Sequence, residues 1–480
     1  MTPLNHPIQP RPLAAETVEL AWSLPEWALI ATVVGGVALL LVLVMAAKMH
    51  AFIALLIVSI AVGAVSGLRF VDIPGVLQEG MGATLGDIAI IVALGAMLGR
   101  MMEESGAARV LSEYLLKRFG ERRSPLAVGV TALIFGIPVF FDVGFIIMLP
   151  LIYAVAKRSG RSLISIALPA AGGLAIMHAV LPPHPGPVAA AGLLGASLGW
   201  VTIMGLICGL PAWYLGAYLF GSRLGDRVFV PVPAGLSAEA ERQAKGEDGD
   251  EEARAPGLGL TLAIITLPVL LILLNTFSSV FLPESGLRDA LMFIGDPITA
   301  LIIATLLSFW LLGLRGGFSL ERVEKAATAA LGPVALVLLV TGAGGVFGEV
   351  LERTGAGEAL ADVLGETSLP VIVLAFIIAT ALRVALGSKT VAIVTTAPIV
   401  APLIAQAGMG QPEIALVVIA IAAGGTVLSH VNDSGFWLMN RYLDIDIKTT
   451  LKSWTMMETL MGGIAFLIAA AISAGLAFTT

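Results

Sequence analysis

The stretch Phe135-Gly-Ile-Pro-Val-Phe-Phe-Asp-Val-Gly-Phe145 lies midway through an almost wholly apolar run that extends from Pro125 to Ala156. A run of this length could form one membrane-spanning helix. Its centre, however, contains Pro138, which removes a backbone hydrogen-bond donor, and two glycines, which free the chain to turn. It also contains Asp142, and an ionisable side chain in the bilayer costs roughly 2.5–3.5 kcal/mol unless it faces protein or water.

The most economical interpretation is a re-entrant hairpin, which enters the membrane, turns at Phe140–Gly144 and leaves on the same side. Irregular backbone is tolerated at that depth where it is buried in protein or lines a cavity. The alternative is a kinked spanning helix in which the aspartate is structural. The hairpin interpretation predicts a binding site at the turn, with Phe141 and Asp142 among its residues.

The composition is that of a membrane protein. Of the 480 residues, 58% are hydrophobic and 13% are charged, and the mean hydropathy is +0.96. These values exclude a soluble globular protein and are typical of an all-α polytopic membrane protein. Cys208 is the single cysteine, which excludes a disulfide framework and a cysteine metal site. The polar residues 1–25 lack the pattern of a cleaved signal peptide.

A hydrophilic segment divides the chain into two apolar halves. Residues 221–256 are polar, and Ala238–Glu252 within them is strongly acidic. Such a composition is typical of a flexible linker. We therefore expect an N-terminal segment at 1–25, a first transmembrane repeat at 26–220, a cytoplasmic acidic linker at 221–256 and a second transmembrane repeat at 257–480.

Each half is expected to contain simple spans, one hairpin and one discontinuous helix. The second hairpin interrupts the apolar run Leu369–Ala407 at Arg383-Val-Ala-Leu-Gly-Ser-Lys-Thr390. Clustered prolines cannot continue a helix, so a first discontinuous helix breaks at Leu181-Pro-Pro-His-Pro-Gly-Pro187. A second discontinuous helix is expected to break at the polar segment Ser429-His-Val-Asn-Asp-Ser-Gly435. The simple spans are expected at Glu26–Ala47, Met49–Gly67, Gly86–Met102, Leu198–Phe220, Gly257–Thr276, Pro297–Leu314, Leu331–Leu351 and Thr455–Ala477.

Short matching segments indicate that the second half repeats the first. Gly99-Arg-Met-Met-Glu-Glu-Ser-Gly-Ala107 resembles Gly348-Glu-Val-Leu-Glu-Arg-Thr-Gly-Ala356, at an offset of 249 residues. A proline followed by a glycine recurs at an offset of 248, and a Gly-Gly pair before a histidine recurs at an offset of 252. Three matches at nearly one spacing indicate an internal repeat.

The number of crossings predicts the orientation of the halves. Three spans, one broken helix and one last span give each half an odd number of crossings, because its hairpin does not cross. An odd number inverts the second half relative to the first, as in many secondary transporters. With the N-terminus outside, 21 of the 27 lysines and arginines face the cytoplasm, as the positive-inside rule requires. We therefore expect a multi-pass protein of the cytoplasmic (inner) membrane with both termini outside.

Four segments together resemble the gluconate permease family. They are Phe135–Pro150, His178-Ala-Val-Leu-Pro-Pro-His-Pro-Gly-Pro187, Gly387-Ser-Lys-Thr390 and Ser429-His-Val-Asn-Asp-Ser-Gly-Phe-Trp437. The resemblance extends over nearly the whole chain, and its specific motifs are His-Pro-Gly and Asn-Asp-Ser-Gly. It implies a proton symporter for gluconate or a related small hydroxy or sugar acid, within the ion transporter superfamily.

The resemblance also implies an architecture and a range of substrates. Members of the superfamily resemble one another in paired hairpins, a dimeric scaffold and elevator-type movement, so a homodimer is expected here. The substrate varies within the family, and another small carboxylate, such as D-glycerate or D-serine, is the alternative to a sugar acid.

Two hairpin turns and two unwound helix centres that meet near the membrane midplane would form one pocket. Helix N-termini directed at such a pocket favour an anion. The polar groups that the sequence places there are hydroxyl, amide, imidazole, ammonium and carboxylate groups, which suit a polyhydroxy carboxylate. The candidate substrate-binding residues are Phe141, Asp142, His184, Gly186, Ser388, Lys389, Thr390, Asn432, Asp433 and Ser434.

Three of the ionisable groups are candidates for proton coupling, namely Asp142, His178 and Asp433. Desolvation disfavours the charged form of a buried carboxyl group, which is therefore poised to bind a proton. A proton that travels with an anionic substrate reduces the charge that must move. Asp142 is the strongest candidate because its neighbours are almost all apolar. The alternative is that Asp142 caps a helix N-terminus and never titrates.

Lys389 is the candidate partner of the substrate carboxylate. It lies between Ser388 and Thr390 at a turn loosened by Gly387, in a segment where a cation has no lipid-exposed location. An ammonium flanked by two hydroxyl groups can bind a carboxylate while the hydroxyls bind the substrate's own OH groups. The alternative is a fixed internal ion pair of Lys389 with one of the candidate aspartates.

Other classes of function have weaker support in the sequence. His178 and His184 lie six residues apart across a proline break without an obvious third ligand, so no metal and no cofactor is expected. A membrane-embedded hydrolase would need a local signature that the chain lacks, and the protein is not expected to be an enzyme or to bind nucleic acid. A passive anion channel is the nearer alternative, although symmetric hairpins and buried ionisable groups suit alternating access better.

Overall fold

The computed structural model describes residues 20–107, 110, 111, 114, 118, 123–233, 256–359, 362 and 369–477. Most of the expected N-terminal segment, 1–25, and of the expected linker, 221–256, lies outside the described residues. Throughout the described part of the chain, the regular secondary structure is helical.

The described helices fall on either side of the linker. Before it lie α1 Glu26–Leu41, α2 Ala51–Val65, α3 Ile73–Glu104, α4 Ser124–Phe135, α5 Phe141–Ser159, α6 Leu163–Val180, α7 Pro185–Leu194, α8 Leu198–Trp213 and α9 Phe220–Arg227. After it lie α10 Leu258–Phe281, α11 Gly286–Gly295, α12 Pro297–Ser308, α13 Leu320–Arg353, α14 Val371–Leu386, α15 Lys389–Ala407, α16 Gln411–Thr426, α17 Ser434–Tyr442, α18 Ile447–Thr450 and α19 Met456–Ala477. Short π-helical turns follow α1, α8 and α12, and another, Leu451–Thr455, joins α18 to α19.

The helices have the length and composition of membrane spans. Within the described residues, eight helices are long and apolar enough to cross a membrane, or nine if the bent pair Ile73–Gly86 and Ile88–Glu104 is one span. The last of them is continuous from Ile447, so the predicted start at Thr455 is too late. The predicted class, an all-α polytopic membrane protein, is confirmed.

The order of the elements in the first half recurs in the second. Helices α5 and α15 each have 19 residues and begin 248 positions apart, at Phe141 and Lys389. Helices α6 and α16 also begin 248 positions apart, at Leu163 and Gln411. In both halves the helix before the hairpin break packs on the discontinuous helix, α4 on α6 and α14 on α16. The inverted orientation of the two halves stays a prediction.

The two predicted hairpins correspond to short breaks between helices. Gly136–Phe140 separates α4 from α5, and Gly387 with Ser388 separates α14 from α15. The predicted turn at Phe140–Gly144 is therefore too far along the chain, because Phe141 begins α5 and Asp142 lies in its first turn. The proline of this break lacks an N–H group, whereas a carboxylate in a first helical turn is favoured by the helix dipole.

Both predicted discontinuous helices are interrupted where the sequence indicated. Helix α6 ends at Val180, and α7 begins at Pro185, which occupies a first helical position where its missing N–H group costs nothing. Helix α16 ends at Thr426, and α17 begins at Ser434. Together with the hairpin breaks, these interruptions give four places where backbone groups are released from helical hydrogen bonds.

The longest helices, α3 and α13, extend further than the sequence predicted. Their expected spans were Gly86–Met102 and Leu331–Leu351, whereas the helices begin at Ile73 and Leu320. The added part of α3 contains glycines, Gln78 and Glu79, and the added part of α13 contains two glutamates, an arginine and a lysine, so the local hydropathy of both parts is low. They are nevertheless helical, and α3 and α13 pack extensively on each other. Packing between helices therefore extends these two elements beyond their apolar centres.

Candidate cavity at the helix breaks

Three of the four helix breaks surround one cavity of about 360 Å³. Nine of the residues predicted from the sequence line it: Phe141, Asp142, His178, Ser388, Lys389, Thr390, Asn432, Asp433 and Ser434. Seven further lining residues are Ala175, Arg383, Leu386, Gly387, Gly435, Trp454 and Glu458. The structure thus brings together residues that are far apart in the sequence but close to the breaks.

A larger cavity of about 750 Å³ lies between α3, α13 and α15. Its ionisable lining residues among those described are the carboxylates Glu349, Glu352, Glu358 and Asp362. It contains none of the helix breaks at which the candidate residues meet. Size alone would favour this cavity, but its acidic lining repels a carboxylate, so the smaller cavity is the candidate site for an anion.

Three helices begin at the smaller cavity, namely α5, α15 and α17. The first N–H groups of a helix have no intrahelical partner and carry a positive partial charge. The Ser388 hydroxyl accepts a hydrogen bond from the Val391 N–H at 3.4 Å, and the Asp433 carboxylate accepts one from the Gly435 N–H at 3.3 Å. The N-termini that converge here favour an anion in the cavity.

A buried ion pair connects the second hairpin break to the break between α16 and α17. The Arg383 side chain is 1% exposed, and its guanidinium lies 2.5 Å from the Asp433 carboxylate. The same guanidinium donates to the Gly387 carbonyl oxygen, and the Ser429 hydroxyl donates to Asp433. Asp433 is therefore held by three partners, counting the Gly435 N–H. This network fixes the positions of the two breaks.

Gly387 allows the two breaks to approach closely. Its φ angle is +76°, in the left-handed region that favours glycine. A Cβ atom at this position would lie 2.3 Å from the Asn432 carbonyl oxygen. The Asn432 side chain in turn donates a hydrogen bond of 2.8 Å to the Val384 carbonyl oxygen. No residue larger than glycine fits at position 387 without displacing Asn432.

Lys389 forms a second ion pair, with a residue that the sequence analysis did not select. Its ammonium lies 3.0 Å from the carboxylate of Glu458, whose side chain is fully buried. The ammonium also donates a hydrogen bond of 3.4 Å to the Ala175 carbonyl oxygen. The alternative in which Lys389 pairs with Asp433 or Asp142 is therefore wrong about the partner. The Lys389 side chain is 14% exposed, and it faces the cavity.

Asp142 differs from the other carboxylates at the cavity because it is exposed. It interacts electrostatically with Asp433 and Lys389. It lies in the first turn of α5 rather than at the N-cap position, which Phe140 occupies. Asp142 is therefore not the N-cap residue of α5, and the alternative in which it caps this helix is wrong.

The two predicted histidines lie next to each other, with ring centroids 4.7 Å apart, but they have different surroundings. His178 lines the cavity, and its Nδ1 atom has no hydrogen-bond partner among the described residues. His184 is 2% exposed, does not line the cavity, and its Nε2 atom lies 2.7 Å from the Gly136 carbonyl oxygen. Gly186 also lies away from the cavity lining, and a Cβ atom there would meet Ile393 at 3.1 Å. His184 therefore stabilises the first hairpin break instead of reaching the cavity.

Sequence reasoning missed Arg383, Trp454 and Glu458 as residues of the site. Glu458 is the single charged residue of α19, an otherwise apolar helix. An ionisable residue inside a membrane span is a candidate functional residue by default, and this signal was present in the sequence. Trp454 carried no comparable signal, because its place at the cavity depends on the continuous helix from Ile447.

Interrupted helices around an anion-favouring cavity define a membrane transporter, and solved structures share this fold. The crystal structure of the YdaH transporter of Alcanivorax borkumensis has a TM-score of 0.64 at 17% identity, covering 88% of this chain and 98% of that chain. The Neisseria gonorrhoeae protein MtrF, described as illuminating a class of antimetabolite efflux pumps, has a TM-score of 0.60 at 16% identity, covering 87% and 93%. At these identities the likeness concerns the fold alone.

The amino-acid sequence also shows which family of transporters the chain belongs to. Residues 27–475 match the model of the GntP family permeases, and the chain belongs to this family. The inner membrane permease YgbN of Escherichia coli K12 is 42% identical over 92% of this chain and 97% of its own length. The low-affinity gluconate transporter of the same organism is 37% identical over 92% of this chain and 97% of its own length. Its Gnt-II system L-idonate transporter is 34% identical over 92% of this chain and 98% of its own length. The protein is therefore a transporter and not an enzyme.

Proposed function

We propose that this permease carries a small hydroxy carboxylate, with gluconate as the first candidate, across the cytoplasmic membrane together with protons. The observation that carries the proposal is the cavity in which Lys389 and three helix N-termini converge. Relatives named for gluconate and for L-idonate support the same class of substrate. Both names refer to sugar acids, which combine one carboxylate with several hydroxyl groups.

The chemistry of the cavity lining suits such a molecule. The Lys389 ammonium and the helix N-termini provide positive charge for the carboxylate. Ser388, Thr390, Asn432 and Ser434 provide hydroxyl and amide groups for the substrate's OH groups. The volume of about 360 Å³ falls at the small end of the range of about 300–1,000 Å³ that is usual for small-molecule sites. A sugar acid therefore matches the cavity in charge, polarity and size.

The proposed coupling uses ionisable groups that line the same cavity. Asp142, His178 and Asp433 are the groups proposed from the sequence, and each of them lines it. A proton bound at the site offsets the charge of an anionic substrate, which lowers the cost of moving it through the membrane. Proton coupling thus fits the chemistry of a carboxylate transporter.

Alternating access by an elevator-type movement is the proposed mechanism. The recurring order of helices in the two halves supports a two-fold related pair of repeats, and the long packed helices α3 and α13 could form a fixed frame. We propose further that the repeats are inverted, that both termini lie outside, and that the transporter is a homodimer in the lipid bilayer. The alternatives are transport of D-glycerate or D-serine, and a passive anion channel.

A competition panel in proteoliposomes tests the substrate. Uptake of labelled gluconate should be inhibited by unlabelled gluconate and L-idonate more strongly than by D-glycerate or D-serine. Asn432→Ala, which alters the smaller cavity, should weaken the apparent affinity, while Gln406→Ala, which alters the larger cavity, should leave it unchanged. If D-serine inhibited most strongly, it would replace a sugar acid as the proposed substrate. If only Gln406→Ala changed the apparent affinity, the binding site would lie in the larger cavity and not in the smaller one.

A further inference from the structure

We propose that Glu458 takes up the coupled proton, because its carboxylate and the substrate carboxylate compete for the same ammonium, that of Lys389. The inference rests on the proposed function, a proton-coupled carboxylate transporter. It adds a residue to the coupling site that is absent from the three candidates proposed from the sequence. It also explains how binding of the anion and binding of the proton depend on each other.

The surroundings of Glu458 leave it dependent on Lys389. Its side chain is fully buried in α19, and the Lys389 ammonium lies 3.0 Å from one carboxylate oxygen. Apart from this ion pair, neither carboxylate oxygen has a hydrogen-bond partner within the described residues. A buried carboxylate that loses its only partner is strongly destabilised, and in practice it binds a proton and becomes neutral.

The other charged groups near Glu458 are held differently. Arg383 and Asp433 interact with it electrostatically, but they form their own ion pair, and Asp433 has two further partners. Asp142 is exposed, and His178 on α6 lines the cavity near Lys389. Of the other helices packed on α19, α8 has no charged residue, and α16 has one in its first turn. Glu458 is therefore the carboxylate that is paired with the Lys389 ammonium, the same group that is proposed to bind the substrate carboxylate.

Binding then exchanges one ion pair for another. Lys389 and Glu458 both line the cavity, so a carboxylate bound there comes within reach of the ammonium that holds Glu458. As the ammonium turns to the substrate, Glu458 takes a proton from a hydronium ion of the solvent. One O–H bond of the hydronium ion breaks, one O–H bond forms on the carboxylate, and a neutral water molecule is left. The ammonium and one carboxylate have a net charge of zero before binding. The ammonium, the substrate carboxylate and neutral Glu458 also sum to zero afterwards, so the loaded site gains no charge.

Calorimetry of gluconate binding in buffers of different ionisation enthalpy counts the protons taken up. Wild-type protein should take up about one proton per gluconate molecule. In the pH range where Glu458 is charged in the free protein and protonated in the complex, the affinity for gluconate should therefore fall about tenfold for each unit by which the pH rises. Glu458→Gln should bind gluconate without proton uptake and without this dependence on pH. At alkaline pH its affinity should be at least that of the wild type, because the competitor for Lys389 is gone. A merely structural role for Glu458 would weaken binding instead.

Glu349→Gln is the matched control. Glu349 also pairs with a cation on a long helix, at 2.6 Å from Arg353, but it lies outside the smaller cavity. This variant should show the proton uptake and the pH dependence of the wild type. If Glu458→Gln does not fold, Lys389→Gln/Glu458→Gln removes both charges, and it should bind gluconate weakly without proton uptake.

The outcomes separate the inference from the function on which it rests. Proton uptake of wild-type size in either Glu458 variant would overturn the role of Glu458 alone and return the coupling to Asp142, His178 or Asp433. A wild-type protein that binds gluconate without proton uptake would overturn both the coupling and the role of Glu458. A wild-type protein that does not bind gluconate, L-idonate, D-glycerate or D-serine would overturn the proposed function and this inference together.

Discussion

The two ion pairs at the cavity, Arg383 with Asp433 and Lys389 with Glu458, differ in whether the cation is accessible to another anion. Arg383 is 1% exposed, and it holds Asp433 and the Gly387 carbonyl oxygen at once, so its contacts are internal. Lys389 is 14% exposed towards the cavity, and its partner Glu458 has no other hydrogen bond within the described residues. The first pair therefore holds the helix breaks together, and the second is the pair that we propose to exchange partners with an anion.

The exchangeable pair predicts the effect of removing the ammonium. Lys389→Gln should weaken gluconate binding by about 1.5–3 kcal/mol, the contribution of a charge-assisted hydrogen bond. The protein should stay folded, because Glu458 becomes neutral when it loses its partner. Isothermal titration calorimetry and size-exclusion chromatography in detergent measure the two quantities, and exposed Lys452→Gln is the matched control. Normal gluconate affinity in a well-folded Lys389→Gln variant would exclude the binding role.

A fixed structural pair would give a different pattern. In that case Lys389→Gln should reduce the amount of folded protein, and a second substitution, Glu458→Gln, should restore it. Restored folding together with unchanged gluconate affinity would identify the pair as structural.

The internal pair predicts a loss of stability. Arg383→Gln leaves the Asp433 carboxylate without its cation and should lower the free energy of unfolding by about 3–5 kcal/mol. Thermal denaturation in detergent measures this change. Exposed Arg441→Gln should change it by no more than about 0.5 kcal/mol. A melting temperature of Arg383→Gln equal to that of the wild type would show that the pair does not hold the breaks.

Among the contacts between helices at the cavity, the close approach of two helix breaks at Gly387 is the critical one. Gly387→Ala would place a Cβ atom 2.3 Å from the Asn432 carbonyl oxygen, in addition to the left-handed φ of +76°. Gly408 has a similar φ of +59° but no neighbouring atom within 4 Å of the added Cβ. Gly408→Ala should therefore cost only the backbone strain, about 1–2 kcal/mol. Gly387→Ala should cost more and should also weaken gluconate binding.

Thermal denaturation and gluconate calorimetry on the two alanine variants separate these effects. Equal losses of stability, with gluconate affinity unchanged in both, would mean that the contact between Gly387 and Asn432 has no role in shaping the cavity.

The helix breaks could be predicted from the sequence because their causes are local. Clustered prolines end α6, and glycine permits the turn before Lys389, and both effects operate within a few residues. The exact start of α5 was misplaced, because the acidic side chain of Asp142 was taken as part of the turn although it also suits a first helical turn. The extensions of α3 and α13 could not be predicted from hydropathy, because packing between the two helices maintains them.

Part of the candidate site could be predicted from the sequence, because the helix breaks that form it have local causes. Residues at the breaks, such as Ser388 and Asn432, were selected because the breaks themselves were recognised. His184 and Gly186 also lie at a break, but this break packs behind the cavity, and only the tertiary structure shows this. Glu458 comes from a regular helix, and its contact with Lys389 depends on how α19 packs. Its isolation among apolar residues was the available signal.

The proposed inversion of the two halves predicts which surfaces of the protein face outwards. Single cysteines at position 358, where Glu358 is exposed, and at position 237, in the linker outside the described residues, should react differently with an impermeant thiol reagent on intact cells. The extracellular position 358 should be labelled, and the cytoplasmic position 237 should be labelled only after the cells are opened. Equal labelling of both positions on intact cells would contradict the inverted arrangement.

Accumulation of gluconate against its own gradient tests proton-coupled transport directly. Purified transporter is reconstituted into proteoliposomes, an inward proton gradient is imposed, and labelled gluconate is measured inside and outside. We expect the internal concentration to rise above the external one and to return to equality when a proton ionophore is added. Uptake that stops at equal concentrations, whether or not the proton gradient is present, would contradict proton-coupled transport and would indicate a passive pathway.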